Sequence, residues 1–440
     1  MSAEMIALFM FSSMMLMLMT GQRVFGAIGA VAAVAAISMW GTGGSDIPFS
    51  SAMKLMKWYP LLTLPMFIFM GYVLSESRIA DDLYKMFHVW TGSLNGGLAI
   101  GTIGLMVLVS AMNGLSVAGM AIGATIALPE LLRRGYDKRF VTGVVQAGSS
   151  LGILVPPSVV LVLYAMIARQ PVGQLWLAGI VPGLIMAGLF ILYIAIRCHL
   201  QPHMGPALSA EERNVPMKEK LRLLRAGLLP IGIFAAMMVP FLNGWTSLVE
   251  SSAIGAMTAF FAAVFKRRMT RQVFEASVRQ TLGISCMFMW IILAALGFGA
   301  VFDGLGAVGV IENLFTEQMG LGPWTILILM QLSFLVMGMF LDDTAMLVIV
   351  APLYVPLVNV LGFDLVWYGV LYTITTQIAY MTPPFGYNLF LMRAMAPPEI
   401  SLRDIYTSIV PFVFIMLLAL ALVMAFPQLS LWLPEYVYGK

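Results

Sequence analysis

Long apolar runs separated by short polar segments organise the whole chain. Runs long enough to cross a hydrocarbon core, about 17–25 residues, predict helices spanning 5–20, 24–41, 58–76, 140–165, 177–199, 226–243, 247–266, 281–302, 366–395 and 405–427. Two further apolar stretches, 97–131 and 324–360, are broken near the middle by "SAMNGLS" (110–116) and "GMFLDDTA" (338–345). Backbone that turns inside a membrane is tolerated only where protein or a polar cavity satisfies its freed N–H and C=O groups. Each stretch is therefore predicted to be a re-entrant helical hairpin that enters and leaves on one side. Two of the spans carry breaks of their own, "AGSSLGILVPPS" (147–158) and "TTQIAYMTPPFG" (375–386). Their Pro-Pro pairs remove backbone donors and hold the helix open.

Composition agrees with this pattern. Of 440 residues, 60% are hydrophobic and 10% charged, against about 25% charged in a soluble globular protein; the mean hydropathy is +0.94. This predicts an all-α polytopic membrane protein. The first apolar run lacks a basic leader and a small-residue cleavage site, and is expected to be a retained helix. Cys198 and Cys286 are far apart and imply no disulfide framework. His88, His199 and His203 are juxtamembrane and form no metal-ligand pattern.

The net charge of +3 is less informative than where the charges fall. With the N-terminus outside, all of the 24 lysines and arginines except Lys54, Lys57, Arg169 and Lys440 lie on the cytoplasmic side, as basic residues prefer. Both termini are then periplasmic. The basic segment "VPMKEKLRLLR" (215–225) is expected to lie as an amphipathic linker, 214–226, on the cytoplasmic lipid surface. Nothing in this distribution calls for a nucleic-acid partner.

A shift of 227 residues superimposes Pro129 on Pro356, Gly135 on Gly362, Asp137 on Asp364 and Pro156-Pro157 on Pro383-Pro384. The same shift sets Ser116 against Asp343 and aligns the spans and tips. The chain is thus expected to hold two repeats, 1–213 and 227–440, each with five spans and one hairpin. Because five is odd, the second repeat would be inverted. Inverted repeats with interrupted helices near the midplane are the signature of secondary transporters.

The interruptions also hold the candidate chemistry. Hydroxyls, amide oxygens and freed carbonyls are hard donors suited to a small alkali cation. Each has a plainer reading, since Ser and Thr in membrane helices often bond back to the preceding turn and Gly148, Gly152 and Gly338 could serve close packing. Asp342 and Asp343 stand apart, because a charge at the bilayer centre costs roughly 2.5–3.5 kcal/mol and is normally paired or functional. Glu250, near a span end, reads as a structural or subunit contact. No G-x-x-x-x-G-K-[ST] loop is present, so transport would be driven by an ion gradient rather than ATP.

At "NGLSVAGMAIGATIALPELLRRGYDKRF", "AGSSLGILVPPSVV", "GMFLDDTAMLVIVAPLYVPLV" and "MTPPFGYNLF" the sequence resembles the large membrane (M) subunit of the tripartite ATP-independent periplasmic (TRAP) transporters, over essentially the whole chain. The resemblance implies a Na⁺ symporter of elevator type, with a scaffold and a moving transport domain, in a bacterial inner membrane. It also implies a small four-helix membrane subunit and a periplasmic binding protein that delivers an organic anion.

By that likeness one Na⁺ would sit among Asn113, Ser116, Gly148, Ser149, Ser150 and Pro156. A second would sit among Gly338, Asp342, Asp343, Thr344, Thr375, Thr376, Met381 and Thr382. Substrate would bind between the tips near Ser116, Ser150 and Asp342. The first tip, Asn113-Gly114-Leu115-Ser116, departs from the family's usual Ser-Gly-Ser-Ser, and "TSLVE" (246–250) lacks the proline of its Thr-Pro-Thr-Glu stretch.

Two alternatives differ from this reading. One is a self-sufficient inverted-repeat carrier of dicarboxylates or ions. The other is an intramembrane aspartyl protease, which needs two carboxylates on different helices; adjacent Asp residues on one tip do not supply them. The chain is expected not to be an enzyme.

Overall fold

The computed structural model describes residues 3–114, 116–208, 212, 215–306, 309, 320–339, 341, 343–383 and 386–439. Among these the chain is helical, with no strand. Seven segments are long and apolar enough to cross a membrane: Val24–Met56, Tyr59–Glu76, Val172–Leu200, Met217–Leu242, Leu248–Phe265, Arg271–Gly304 and Leu402–Ala425. Of the other expected spans, 140–165 and 366–395 are split, as their polar breaks require, and 5–20 is the unbroken helix Ala3–Met19.

In the first half the helices are α1 Ala3–Met19, α2 Val24–Trp40, α3 Asp46–Met56, α4 Thr63–Glu76, α5 Ile79–Thr91, α6 Gly97–Asn113, α7 Ser116–Ile122, α8 Leu128–Arg133, α9 Lys138–Ser150, α10 Val159–Ala168 and α11 Val172–Leu200. In the second they are α12 Met217–Leu242, α13 Leu248–Phe265, α14 Arg271–Gly304, α15 Pro323–Gly338, α16 Asp343–Val360, α17 Leu365–Ala379, α18 Tyr387–Met395, α19 Leu402–Ala425 and α20 Gln428–Tyr438.

The two broken spans start in the same way. Gly135 and Gly362 both have φ +78°, a conformation that glycine adopts without a Cβ penalty. Two residues later an aspartate caps the helix. Asp137 accepts from the Arg139 and Phe140 amides at 3.0 and 2.9 Å, and Asp364 accepts from the Trp367 amide at 2.8 Å. Such caps satisfy amides that have no intrahelical partner. Glu250 proves to be a capping residue too: it accepts from the Ser247 amide at 2.7 Å, while the Ser247 hydroxyl accepts from the Glu250 amide at 3.3 Å.

One expectation needs correction. Residues 217–226 form no separate helix, because α12 runs from Met217 to Leu242 and includes them. No proline or glycine before Gly227 stops the helix. The start also packs on α5, where the Trp90 indole N–H donates to the Lys220 carbonyl at 3.2 Å.

The contacts can be followed as two sets of helices, which α5 joins by packing on α6 and α14 by packing on α16. In one, α14 packs on α2, α3 and α4, α13 on α4 and α12, and α12 on α5. In the other, α9 packs on α6, α7 and α19, and α17 on α10, α11, α15 and α19. The short helix α5 is tied to the turn after α13 by Asp82, which pairs with Lys266 at 2.9 Å and Arg268 at 3.0 Å. Partial burial works against its charge, yet these two cations hold the Asp82 carboxyl below the usual carboxylate range. In the second group, buried Asp404 at the start of α19 pairs with Lys138 and Arg139 of α9, each at 2.8 Å.

Candidate functional site

The first tip and the first broken helix touch directly. Gly114, at φ +64°, turns the chain between α6 and α7, and its carbonyl accepts from the Val159 amide at 3.3 Å. A Cβ at this position would lie 1.8 Å from the Pro157 carbonyl oxygen, so only glycine fits. Ser116 opens α7 and is buried. Gly119 of α7 sits so close to α9 that a Cβ would meet the Ser149 Cα at 3.3 Å. Gly148 is pressed against Met106, whose Cγ would be 2.7 Å from an added Cβ. Pro156 lies in the break between α9 and α10, joined to Pro157 by a cis peptide. The side chain of Asn113, which ends α6, lies outside the described residues.

The second tip and broken helix meet in a similar way. Gly338 ends α15 where an added Cβ would fall 2.4 Å from the Ala379 Cβ, so α15 and α17 approach closely. Thr375 donates its hydroxyl to Gln331 Oε1 of α15 at 2.5 Å. Asp343 opens α16, and its backbone carbonyl accepts from the Tyr372 hydroxyl at 2.7 Å. Met381 is buried in the turn after α17, and Thr382 follows it. Asp342 and the Thr344 side chain lie outside the described residues.

Four of the other hydroxyls bond back along the chain. Ser149 donates to the Gln146 carbonyl at 2.8 Å and Ser150 to that of Ala147 at 2.7 Å; Thr376 donates to Thr373 at 2.9 Å and Thr382 to Ile378 at 2.6 Å. Back-bonding uses the proton and leaves the oxygen lone pairs to face a ligand. Among the described residues no three His, Cys, Asp or Glu side chains come together.

The pattern along the chain did not single out three residues that join the halves. Gln377 of α17 donates its side-chain N–H to the Ser150 carbonyl at 2.8 Å. The Tyr380 hydroxyl also donates to that carbonyl, at 3.3 Å, and reaches the Ser116 side chain. Asn388 of α18 donates to the Ser149 hydroxyl oxygen at 3.3 Å. The shift of 227 carried a usable signal, since it sets Ser150 on Gln377 and Ser149 on Thr376. The broken spans also cross-pack: α10 lies on α16, and α18 lies on α7 and α9.

The family model for the tripartite ATP-independent periplasmic transporter, DctM component, matches residues 11–429. The chain belongs to this family. The C4-dicarboxylate TRAP transporter large permease protein DctM of Pseudomonas aeruginosa is 30% identical over 88% of this chain and 90% of its own. The ectoine TRAP transporter large permease protein TeaC of Halomonas elongata is 26% identical over 90% of this chain and 91% of its own. Family membership makes the chain a multi-pass transporter permease subunit rather than an enzyme, and removes the protease alternative. A solved structure of the YdaH transporter of Alcanivorax borkumensis shares the fold, with a TM-score of 0.65 at 15% identity over 97% of this chain and 98% of that one.

Proposed function

We propose that this DctM-family chain is the large permease subunit of a Na⁺-coupled importer of a small organic acid anion. It works in a bacterial inner membrane with a small four-helix membrane subunit and a periplasmic binding protein that hands over the substrate. The observation that carries this reading is the meeting of the two broken helices at Ser150, whose carbonyl accepts from Gln377 and Tyr380, with Tyr380 also reaching Ser116 of the first tip. The matching starts at Gly135–Asp137 and Gly362–Asp364 and the reciprocal packing of α10 on α16 and α18 on α7 support two inverted repeats. Relatives named for C4-dicarboxylates and for ectoine support small carboxylates as the substrate class.

Either charge alone would be costly to carry through hydrocarbon. A cation bound by the tips beside the anion lowers that cost for both. Substrate binds between the tips near Ser116, Ser150 and Asp342, with one Na⁺ by the first tip and another by the second. The helix group containing α6–α11 and α15–α20 then moves as an elevator against the group containing α1–α4 and α12–α14. Both termini face the periplasm.

The test is uptake of a ¹⁴C-labelled C4-dicarboxylate, and separately of ectoine, into proteoliposomes from which components are left out one at a time. Transport is expected only when this chain, the small subunit and a loaded binding protein are all present, and ATP has no effect. Saturable uptake by this chain alone would favour the self-sufficient carrier.

A further inference from the structure

Two buried amide oxygens lie beside the end of α9 without a donor. Gln377 and Asn388 are both fully buried, and Gln377 Oε1 and Asn388 Oδ1 have no hydrogen-bond partner. Their orientations are fixed by chemistry. The Ser150 carbonyl can only accept, so the Gln377 nitrogen must face it, at 2.8 Å. The Ser149 hydroxyl already gives its proton to the Gln146 carbonyl, so it can only accept from the Asn388 nitrogen, at 3.3 Å. Flipping either amide would set oxygen against a lone pair. Both amide oxygens are therefore held as acceptors next to consecutive residues of one helix end.

A buried acceptor left without a partner is a cost that native structures normally remove. A water could donate to both amide oxygens, but its own oxygen would then need donors. The Ser149 and Ser150 protons and one N–H of each amide are already spent. A small alkali cation needs no donor and accepts neutral oxygens on every side. We infer that Gln377 and Asn388 are cation ligands, contributing from the second half of the chain to the Na⁺ site that Ser149 and Ser150 begin in the first. A cation held this way clamps α9 to α17 and α18, so the site exists only while the two halves are in register. The inference rests on the Na⁺-coupled reading above.

²²Na⁺ binding to the full-length protein in lipid nanodiscs tests it, using paired variants at each position. Gln377→Glu and Asn388→Asp keep a side-chain oxygen but replace the N–H₂ group. Gln377→Met and Asn388→Leu keep bulk and remove both. If the oxygens are ligands, the Met and Leu variants raise half-saturating Na⁺ by about tenfold or more, whereas the Glu and Asp variants bind Na⁺ at least as tightly as wild type. If the residues matter only through their N–H bonds, the acidic variants lose as much as the apolar ones, and the inference is overturned. Unchanged Na⁺ binding in all four variants overturns it equally and leaves Na⁺ coupling intact. No ²²Na⁺ binding by wild type would remove the Na⁺-coupled reading, and this inference with it. Testing two positions guards against one variant failing to fold, checked by size-exclusion elution.

Discussion

Replacing Gly114 with alanine should cost about 2–5 kcal/mol of stability and abolish uptake. Placing a side chain in the left-handed region costs roughly 1–2 kcal/mol, and forcing bulk into a filled site adds about 1–3 kcal/mol. At Gly114 both apply, since φ is +64° and the new Cβ would lie 1.8 Å from the Pro157 carbonyl oxygen. The chain must move, and the only routes separate the first tip from the first broken helix. That would break the Val159–Gly114 hydrogen bond and displace Ser116 from the site. Gly362→Ala is the control, because Gly362 has φ +78° but nothing within 4 Å of an added Cβ. Thermal unfolding in detergent should place Gly114→Ala well below Gly362→Ala. Equal midpoints would show that the tip does not depend on this contact.

Asp342→Asn should reduce transport to background while leaving membrane insertion and assembly intact. The substitution keeps size and hydrogen bonding but removes a charge that is costly at the bilayer centre. Beside an anionic substrate a lone carboxylate would be repulsive, so its use must be to favour bound Na⁺ or to hold a cationic or hydroxyl group. Asp343→Asn should do less. Arg393 donates to the Ile400 carbonyl at 3.1 Å, at the far end of α18. Uptake and Na⁺ titration of both variants at matched expression decide the matter. Normal transport by Asp342→Asn with unchanged Na⁺ dependence would make the carboxylate structural.

Much of this arrangement can be read along the chain because hydrocarbon imposes a simple rule on backbone polarity. "SAMNGLS" and "GMFLDDTA" are polar where the run should be apolar, and both mark the joins of α6 with α7 and α15 with α16. Asp137 and Asp364 align under the shift of 227, but that they cap their helices is seen only in the structure. The short helices α3, α5 and α20 were not, because their apolar stretches are too brief to stand out. The basic stretch 217–226 was read as separate from the following span because its charge pattern differs, whereas the structure joins the two in one helix. Gln377, Tyr380 and Asn388 gain their meaning from contacts across more than 200 residues. Polarity along the sequence shows that Gln377 is unusual in an apolar helix; only the crossing of α17 over the end of α9 shows what it touches.

Under the proposed function, a Na⁺ gradient drives an organic anion through this site. The most direct measurement is uptake by the three-component system in proteoliposomes with Na⁺ outside and K⁺ inside, compared with K⁺ on both sides at a fixed proton gradient. The account predicts accumulation in the first condition, rising with external Na⁺ and collapsing when a Na⁺ ionophore equalises the two sides. Equal uptake with K⁺ on both sides would contradict it.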